Sequence, residues 1–277
     1  MPCCYDAHSA RLVERAGFPL SFMSGFAVSA TKLGLPDTGL ISYGEMLDQG
    51  RSVCAAVDIP VIGDGDTGYG NAMNARRTVD GYARAGFAAV MIEDQLAPKR
   101  CGHTRGKQVV PRGEALARVR AAVDAREAGA DVLLMARTDA RATHGLDEAL
   151  WRAEAFADAG ADLLFVEAPR SETEMERICA ATGLPQMANL VEGGDTPLLP
   201  PAALEALGYR IAAWPLTLLS AATRAMQQAL AALARGETPE GLLDFAELRE
   251  LVGFDDYDAE LARYASAAAT SPEEESA

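Results

Sequence analysis

Eight short apolar runs alternate with alanine-rich segments along most of this chain, and that alternation limits the possible folds more than any other feature. The runs are Cys3–Tyr5, Leu20–Met23, Val61–Gly63, Ala89–Ile92, Val132–Ala136, Leu163–Val166, Gln186–Asn189 and Ile211–Trp214. Continuous apolar runs of this length mark strands covered on both faces. Between them, Ala75–Ala85, Glu114–Ala128, Leu146–Ala159 and Glu172–Ala181 are amphipathic. These end near Gly86, Gly129, Gly160 and Gly183, which fits left-handed caps. A helix-to-strand junction beginning Ala-Gly recurs at Ala85, Ala128 and Ala159. Eight strand–helix units predict an α/β fold, a closed (β/α)8 TIM barrel.

The 277 residues fit one barrel domain with a helical extension over about 221–270. Ala221–Arg235 reads as a helix closed by Gly236. Thr238 with Pro239 starts a second, followed by Gly253, and Tyr257–Ala268 forms a third. The acidic tail at 271–277 is expected to be disordered. No apolar run approaches the roughly 20 residues that span a bilayer. Met1–Arg15 lacks the order of a signal peptide.

A net charge of −15 makes the chain a poor general binder of nucleic acid or anionic membrane. An acidic metabolite would need a metal or a local cationic cluster. The five cysteines show no Cys-x-x-Cys pair, which points to free thiols in a reducing cytoplasm. Cys54 and Cys179 read as small buried hydrophobes, and His8 and His144 as structural or surface residues.

Polar residues follow successive runs: Ser24, then Asp64 and Asp66, Glu93 and Asp94, Arg137 and Asp139, Glu167, and Asn189. One charged residue at a strand end is ordinary, because the chain reaches water there. Six successive strands with such ends mark the catalytic face of a barrel. Two connections are long, Ser24–Gly50 and Gln95–Arg112. The second carries Lys99, Arg100, His103, Arg105, Lys107 and Arg112, a basic island suited to a lid or binding loop.

The segment Gly63-Asp64-Gly65-Asp66-Thr67-Gly68 has the spacing of a dinucleotide loop, but its two carboxylates would repel a pyrophosphate. An EF-hand fails as well, since Ala75 stands at the twelfth position. What remains is a carboxylate pair, put on one face by strand periodicity, that suits Mg²⁺ or Mn²⁺. Arg137 offers a fork to a carboxylate or enolate, or a salt bridge to Glu167 or Glu93. Asn189 is a donor or a satisfied amide. Cys101 lies among Lys99, Arg100 and His103, and neighbouring cations favour a thiol able to exchange its proton near neutral pH.

With these motifs the chain resembles the isocitrate lyase / phosphoenolpyruvate mutase superfamily over nearly its whole length. The matching stretches are Ser24-Gly25-Phe26, Gly34-Leu35-Pro36-Asp37, Asp64–Gly70, Ile92–Gln95, Lys99–His103, Ala136–Ala140, Val166–Ala168, Asn189–Gly194 and Trp214-Pro215-Leu216. The resemblance implies a barrel with Mg²⁺ touched directly by Asp64. Asp37, Asp66 and Glu93 would hold it directly or through waters. It implies that Ser24, the Gly25–Phe26 backbone and Arg137 bind the 2-oxo-acid half of a substrate. Glu167, Asn189 and the Gly102–His103 backbone would complete the pocket. The Lys-Arg-Cys-Gly-His loop resembles that of members that cleave carbon–carbon bonds, in which the cysteine protonates the departing carbanion. Lys99 and His103 would close with it.

Departures narrow the substrate. Methylisocitrate lyases of the family carry Tyr where this chain has Phe22, Gly at Phe26, a different residue at Glu192, and an Arg near Ser220. Phe26 and the missing Arg suit a smaller dicarboxylate. Glu192-Gly193-Gly194 resembles the dimethylmalate lyase and oxaloacetate hydrolase or decarboxylase branches. The expectation is a Mg²⁺-dependent lyase cleaving a 2-hydroxy-dicarboxylate, of 2,3-dimethylmalate or 2-methylisocitrate type, to pyruvate or a related 2-oxo acid plus a carboxylate. The rivals are oxaloacetate hydrolysis or decarboxylation, phosphonopyruvate chemistry, and a non-catalytic metabolite-binding barrel. The resemblance also implies a homotetramer with an exchanged C-terminal helix.

Overall fold

Each apolar run becomes a strand in the computed structural model, which describes residues 1–269 apart from His103 and Arg105. The strands are β1 Cys3–Cys4, β2 Ser21–Met23, β3 Val61–Asp64, β4 Ala89–Glu93, β5 Leu133–Thr138, β6 Leu163–Val166, β7 Met187–Asn189 and β8 Ile211–Ala213. β1 to β6 pair in sequence order, and β7 pairs with β8. All these pairings are parallel. Parallel bridges Leu164–Gln186 and Pro2–Trp214 link β6 to β7 and β8 back to β1. The Cys3 N–H donates to the Trp214 carbonyl at 3.1 Å, and the Trp214 N–H to the Met1 carbonyl at 3.0 Å. The order therefore runs round in a ring, as in a (β/α)8 barrel. Single bridges close it because β1, β7 and β8 are only two or three residues long.

The helices are α1 Ala7–Arg15, α2 Gly25–Val28, α3 Tyr43–Cys54, α4 Ala72–Ala85, α5 Arg112–Glu127, α6 Ala140–Thr143, α7 Leu146–Asp158, α8 Glu172–Ala181, α9 Pro201–Leu207, α10 Thr217–Ala234, α11 Phe245–Val252 and α12 Phe254–Ala269. Three expectations change. The Ser24–Gly50 connection is mostly helical: α2 runs into a π-turn at Ser29–Leu33, and α3 follows. Its Ser42 and Glu45 form a reciprocal cap that starts α3 early. Gly183 is not a left-handed cap, because α8 already ends in extended Thr182. The helix expected at Thr238–Pro239 starts instead at Phe245, where Asp244 caps it with Glu247 in return.

Strand alternation divides the core into two shells. Cys3, Phe22, Ile62, Met91, Met135, Phe165, Met187 and Ala213 pack together inside the barrel. Cys4, Met23, Val61, Val90, Leu134, Leu164 and their neighbours pack outward against helices. Cys3 and Cys4 thus face opposite ways, and His8 is exposed. Gly63 is required by the outer shell: a Cβ there would lie 2.6 Å from the Tyr82 ring. Tyr82 stacks on Phe87 at 4.8 Å and donates its hydroxyl to the Asp64 carbonyl at 2.8 Å, fixing the end of β3.

The chain divides into two compact units, Met1–Ala222 and a second from Thr223 onward. The second carries exposed apolar side chains, among them Leu230 at 65%, Phe245 at 77% and Tyr257 at 66%. The 271–277 tail lies outside the described residues. Among those described, no helix is long and apolar enough to cross a membrane.

Candidate active site

The inner shell sets the site by simple counting. Ser24, Asp64, Glu93, Arg137, Glu167 and Asn189 each lie two residues beyond an inner-shell residue: Phe22, Ile62, Met91, Met135, Phe165 and Met187. A period of two turns all six toward the barrel axis at the C-terminal ends of the strands. The β4–β5 register puts Glu93 directly opposite Arg137. Asp66 arrives differently. β3 ends at Asp64, and Asp66 sits in a left-handed turn with φ 49°, so strand alternation does not align the two carboxylates as expected.

Arg137 is only 8% exposed and is compensated by three carboxylates. Its Nε lies 2.9 Å from Asp139 Oδ2 and 3.3 Å from Glu93 Oε2; its Nη2 lies 3.1 Å from Glu167 Oε2. Its guanidinium also lies over Phe165, 4.9 Å from the ring centre. Nη1 takes no part in these contacts. Both salt bridges considered from sequence are present, and Asp139 adds a bidentate third that sequence reasoning missed. The signal was an acid two residues after the arginine. Burial would raise the Asp139 carboxyl, but Arg137 and Lys107 outweigh it and hold it down at about 2. The stability from this shift is present above the unfolded value of about 4 and is lost as the pH falls toward 2.

Asp64 is gripped by backbone donors. The Gly25 N–H donates to its Oδ2 at 3.1 Å and the Asp66 N–H to its Oδ1 at 3.0 Å. Gly25 must lack a side chain, since a Cβ would lie 2.5 Å from Oδ2. Beside it, Lys99 Nζ stands 2.6 Å from Asp37 Oδ1 and 2.7 Å from Asp66 Oδ1. Burial works against the Lys99 charge, yet Asp66, Asp37, Asp64 and Glu93 raise its pKa well above the ordinary value. Burial pushes Asp66 up to about 7, with Asp64 and Asp37 adding to it and Lys99 opposing. Burial also raises Glu93 well above the carboxylate range, against Arg137.

The metal expectation can be tested on these atoms. Among the described residues, no three His, Cys, Asp or Glu side chains converge to cage an ion. The donors are hard carboxylate oxygens, and Glu93 Oε1 is buried without a hydrogen-bond partner. Such a set fits an ion that keeps most of its waters and takes one or two carboxylates directly, as Mg²⁺ does.

A small cavity of about 60 Å³ opens above the inner shell. Cys3, Phe22, Met91, Phe165 and Met187 line its floor, and Ser24, Asp37, Asp64, Arg137, Glu167 and Asn189 its polar wall. Phe26, Val191, Pro215 and Leu216 form an apolar side. The 95–112 loop supplies Lys99, Arg100, Cys101 and Gly102. This loop lies down on the barrel. Gln95 exchanges hydrogen bonds with the Arg100 backbone at 2.9 and 3.0 Å, and Gly102 packs so closely that a Cβ would lie 2.5 Å from Glu167 Oε2. Asn189 Nδ2 donates to Glu167 Oε2 at 3.2 Å. Asp66 and Glu93 stand behind the wall rather than in it, and His103 lies outside the described residues.

A barrel mouth that gathers buried acids, a compensated arginine and a lysine- and cysteine-bearing loop over one small cavity defines a site for a small anionic metabolite. The chain belongs to the phosphoenolpyruvate phosphomutase family, whose model matches residues 1–234. The 2,3-dimethylmalate lyase of Eubacterium barkeri is 44% identical over 92% of this chain and 89% of its own length. The chloroplastic carboxyvinyl-carboxyphosphonate phosphorylmutase of Arabidopsis thaliana is 45% identical over 96% of this chain and 80% of its own. Among solved structures, a 2,3-dimethylmalate lyase of the PEP mutase/isocitrate lyase superfamily matches with a TM-score of 0.91 and 36% identity, covering 95% of this chain and 89% of that one. An oxaloacetate acetylhydrolase bound to 3,3-difluorooxalacetate matches at 0.90 and 36%, covering 96% and 91%. A phosphonopyruvate hydrolase holding oxalate and Mg²⁺ matches at 0.84 and 31%, covering 95% and 93%.

Proposed function

We propose that this enzyme is a Mg²⁺-dependent carbon–carbon lyase. It cleaves a methyl-bearing 2-hydroxy di- or tricarboxylate, of 2,3-dimethylmalate or 2-methylisocitrate type, to pyruvate or a related 2-oxo acid plus a carboxylate. The observation that carries this is that Cys101, Arg137 and Asp64 line one cavity whose remaining side is apolar. Arg137 is oriented through Nε and Nη2, so Nη1 is the arm for a substrate carboxylate. Ser24 and Asn189 add polar contacts on the same wall. A divalent ion held by Asp64, with Asp37, Asp66 and Glu93 behind it, would supply charge stabilisation to the oxygens of the 2-oxo acid as it forms. The loop lines the cavity, and its Lys99 and Arg100 bring positive charge to the anion. A base takes the substrate's 2-hydroxyl proton, the oxygen's electron pair forms the new C=O as the carbon–carbon bond breaks, and the bond's electrons pass to the carbon beside the second carboxylate, which the Cys101 thiol protonates.

Phe26, Val191, Pro215 and Leu216 favour this reading over oxaloacetate hydrolysis, because their apolar side chains suit the methyl groups that oxaloacetate lacks. The likeness to oxaloacetate acetylhydrolase keeps that hydrolysis as the second reading. The likeness to phosphoryl-group enzymes supports phosphonopyruvate chemistry less, since the Lys99–His103 motif resembles the lyase branch. Five free cysteines support a cytoplasmic setting. The exposed apolar residues of α10 to α12 support a homotetramer, and a monomeric mass at micromolar concentration would contradict it.

Excess EDTA should abolish turnover, and Asp64→Ala should do the same while circular dichroism stays that of the wild type; full activity in EDTA would refute the metal requirement. Cys101→Ser keeps the size of the group but is a far weaker acid. Carbon–carbon cleavage should fall by about 10²-fold or more with KM little changed. Near-normal cleavage by the serine variant would remove Cys101 from the reaction.

A further inference from the structure

The 95–112 loop carries a second buried lysine that the proposed reaction leaves unused. The Lys107 side chain is 4% exposed, a rare place for lysine unless it is paired. Its Nζ donates to the Gly102 carbonyl. The same Nζ lies 2.8 Å from Asp139 Oδ1. That oxygen also takes Arg137 Nη2 at 3.2 Å, while Oδ2 takes Nε at 2.9 Å. Asp139 is pinned from behind, its N–H donating to Asp94 Oδ1 at 3.0 Å. Asp94 in turn takes the Thr138 hydroxyl at 2.7 Å and Arg152 Nη1 at 3.0 Å. Gly102 meanwhile backs onto the guanidinium so closely that a Cβ would lie 2.6 Å from Nη2. One ammonium therefore holds both the turn that bears Cys101 and the carboxylate that orients Arg137.

We infer that Lys107 is a positioning residue that couples the seating of the Cys101 turn to the orientation of Arg137 through Asp139. The inference rests on the lyase reading and adds to it how proton donor and substrate-binding cation are brought into register together. Charge supplies the reason. Arg137 faces three carboxylates, Glu93, Asp139 and Glu167. With the loop down, Lys107 shares Asp139, which leaves more of the guanidinium's attraction for a substrate carboxylate.

Lys107→Met keeps the length of the stem and removes the charge. It should lower kcat by about 10²-fold, the scale of a misplaced reacting group, and raise KM as Arg137 loses attraction for the substrate carboxylate. Lys107→Arg should recover part of kcat. In ligand-free protein, iodoacetamide should modify Cys101 about 10-fold faster in Lys107→Met, read by peptide mass spectrometry. Losing a nearby cation would by itself raise the thiol pKa and slow that reaction, so acceleration reports an unseated turn. Asp139→Asn should produce both changes, and the double variant should be no worse than the worse single one, because the residues act as one unit. A wild-type kcat or a wild-type alkylation rate in Lys107→Met overturns the inference. If the wild-type enzyme cleaves no hydroxy-dicarboxylate, the lyase reading fails while the alkylation rates still decide the coupling.

Discussion

Arg137 has to keep its charge inside the barrel mouth, where removing an ion from water costs several kcal/mol unless partners compensate. The partners are supplied by strand geometry. Glu93 faces it across the β4–β5 register, Asp139 reaches it from two residues on, and Glu167 comes from the end of the next strand. Phe165 gives the guanidinium a flat surface to lie on. Three acids around one arginine leave an excess of negative charge. The site can accept an anionic substrate only if further cations arrive.

The 95–112 loop supplies cations of this kind, and the proposed divalent ion would add to them. Lys99 goes to Asp37 and Asp66, and Lys107 to Asp139. The segment that lines the cavity is therefore also the one that pairs with its buried carboxylates, and Cys101 lines the same cavity as Arg137. An acidic chain with a net charge of −15 can handle acidic metabolites because its cations are concentrated at this point.

Much of this was legible in the amino-acid sequence because barrels obey a period of two. Ser24, Asp64, Glu93, Arg137, Glu167 and Asn189 could be placed at strand ends from the apolar runs alone, and the structure turns all six inward. Asp66 was placed on the right loop for the wrong reason, since β3 stops at Asp64 and a turn with positive φ directs the next acid. The role of Asp139 was missed because only Glu93 and Glu167 were weighed as partners for Arg137, and the way the chain turns after β5 brings Asp139 back onto the guanidinium. Lys107 looked like one basic residue among several, as a loop's contacts depend on how it folds back. Gly183 and Thr238 misled for a related reason: a glycine or proline permits a helix end without requiring one, and the local hydrogen bonds decide.

The central claim is that a positioned group in this cavity protonates the carbon released when a carbon–carbon bond breaks. Incubating the enzyme with 2,3-dimethylmalate and Mg²⁺ in D₂O, and identifying the products by NMR, tests it most directly. The account predicts pyruvate together with propionate that carries a single deuterium at C2 in one configuration. Intact 2,3-dimethylmalate alongside rapid conversion of oxaloacetate would contradict it and make oxaloacetate the substrate of this site.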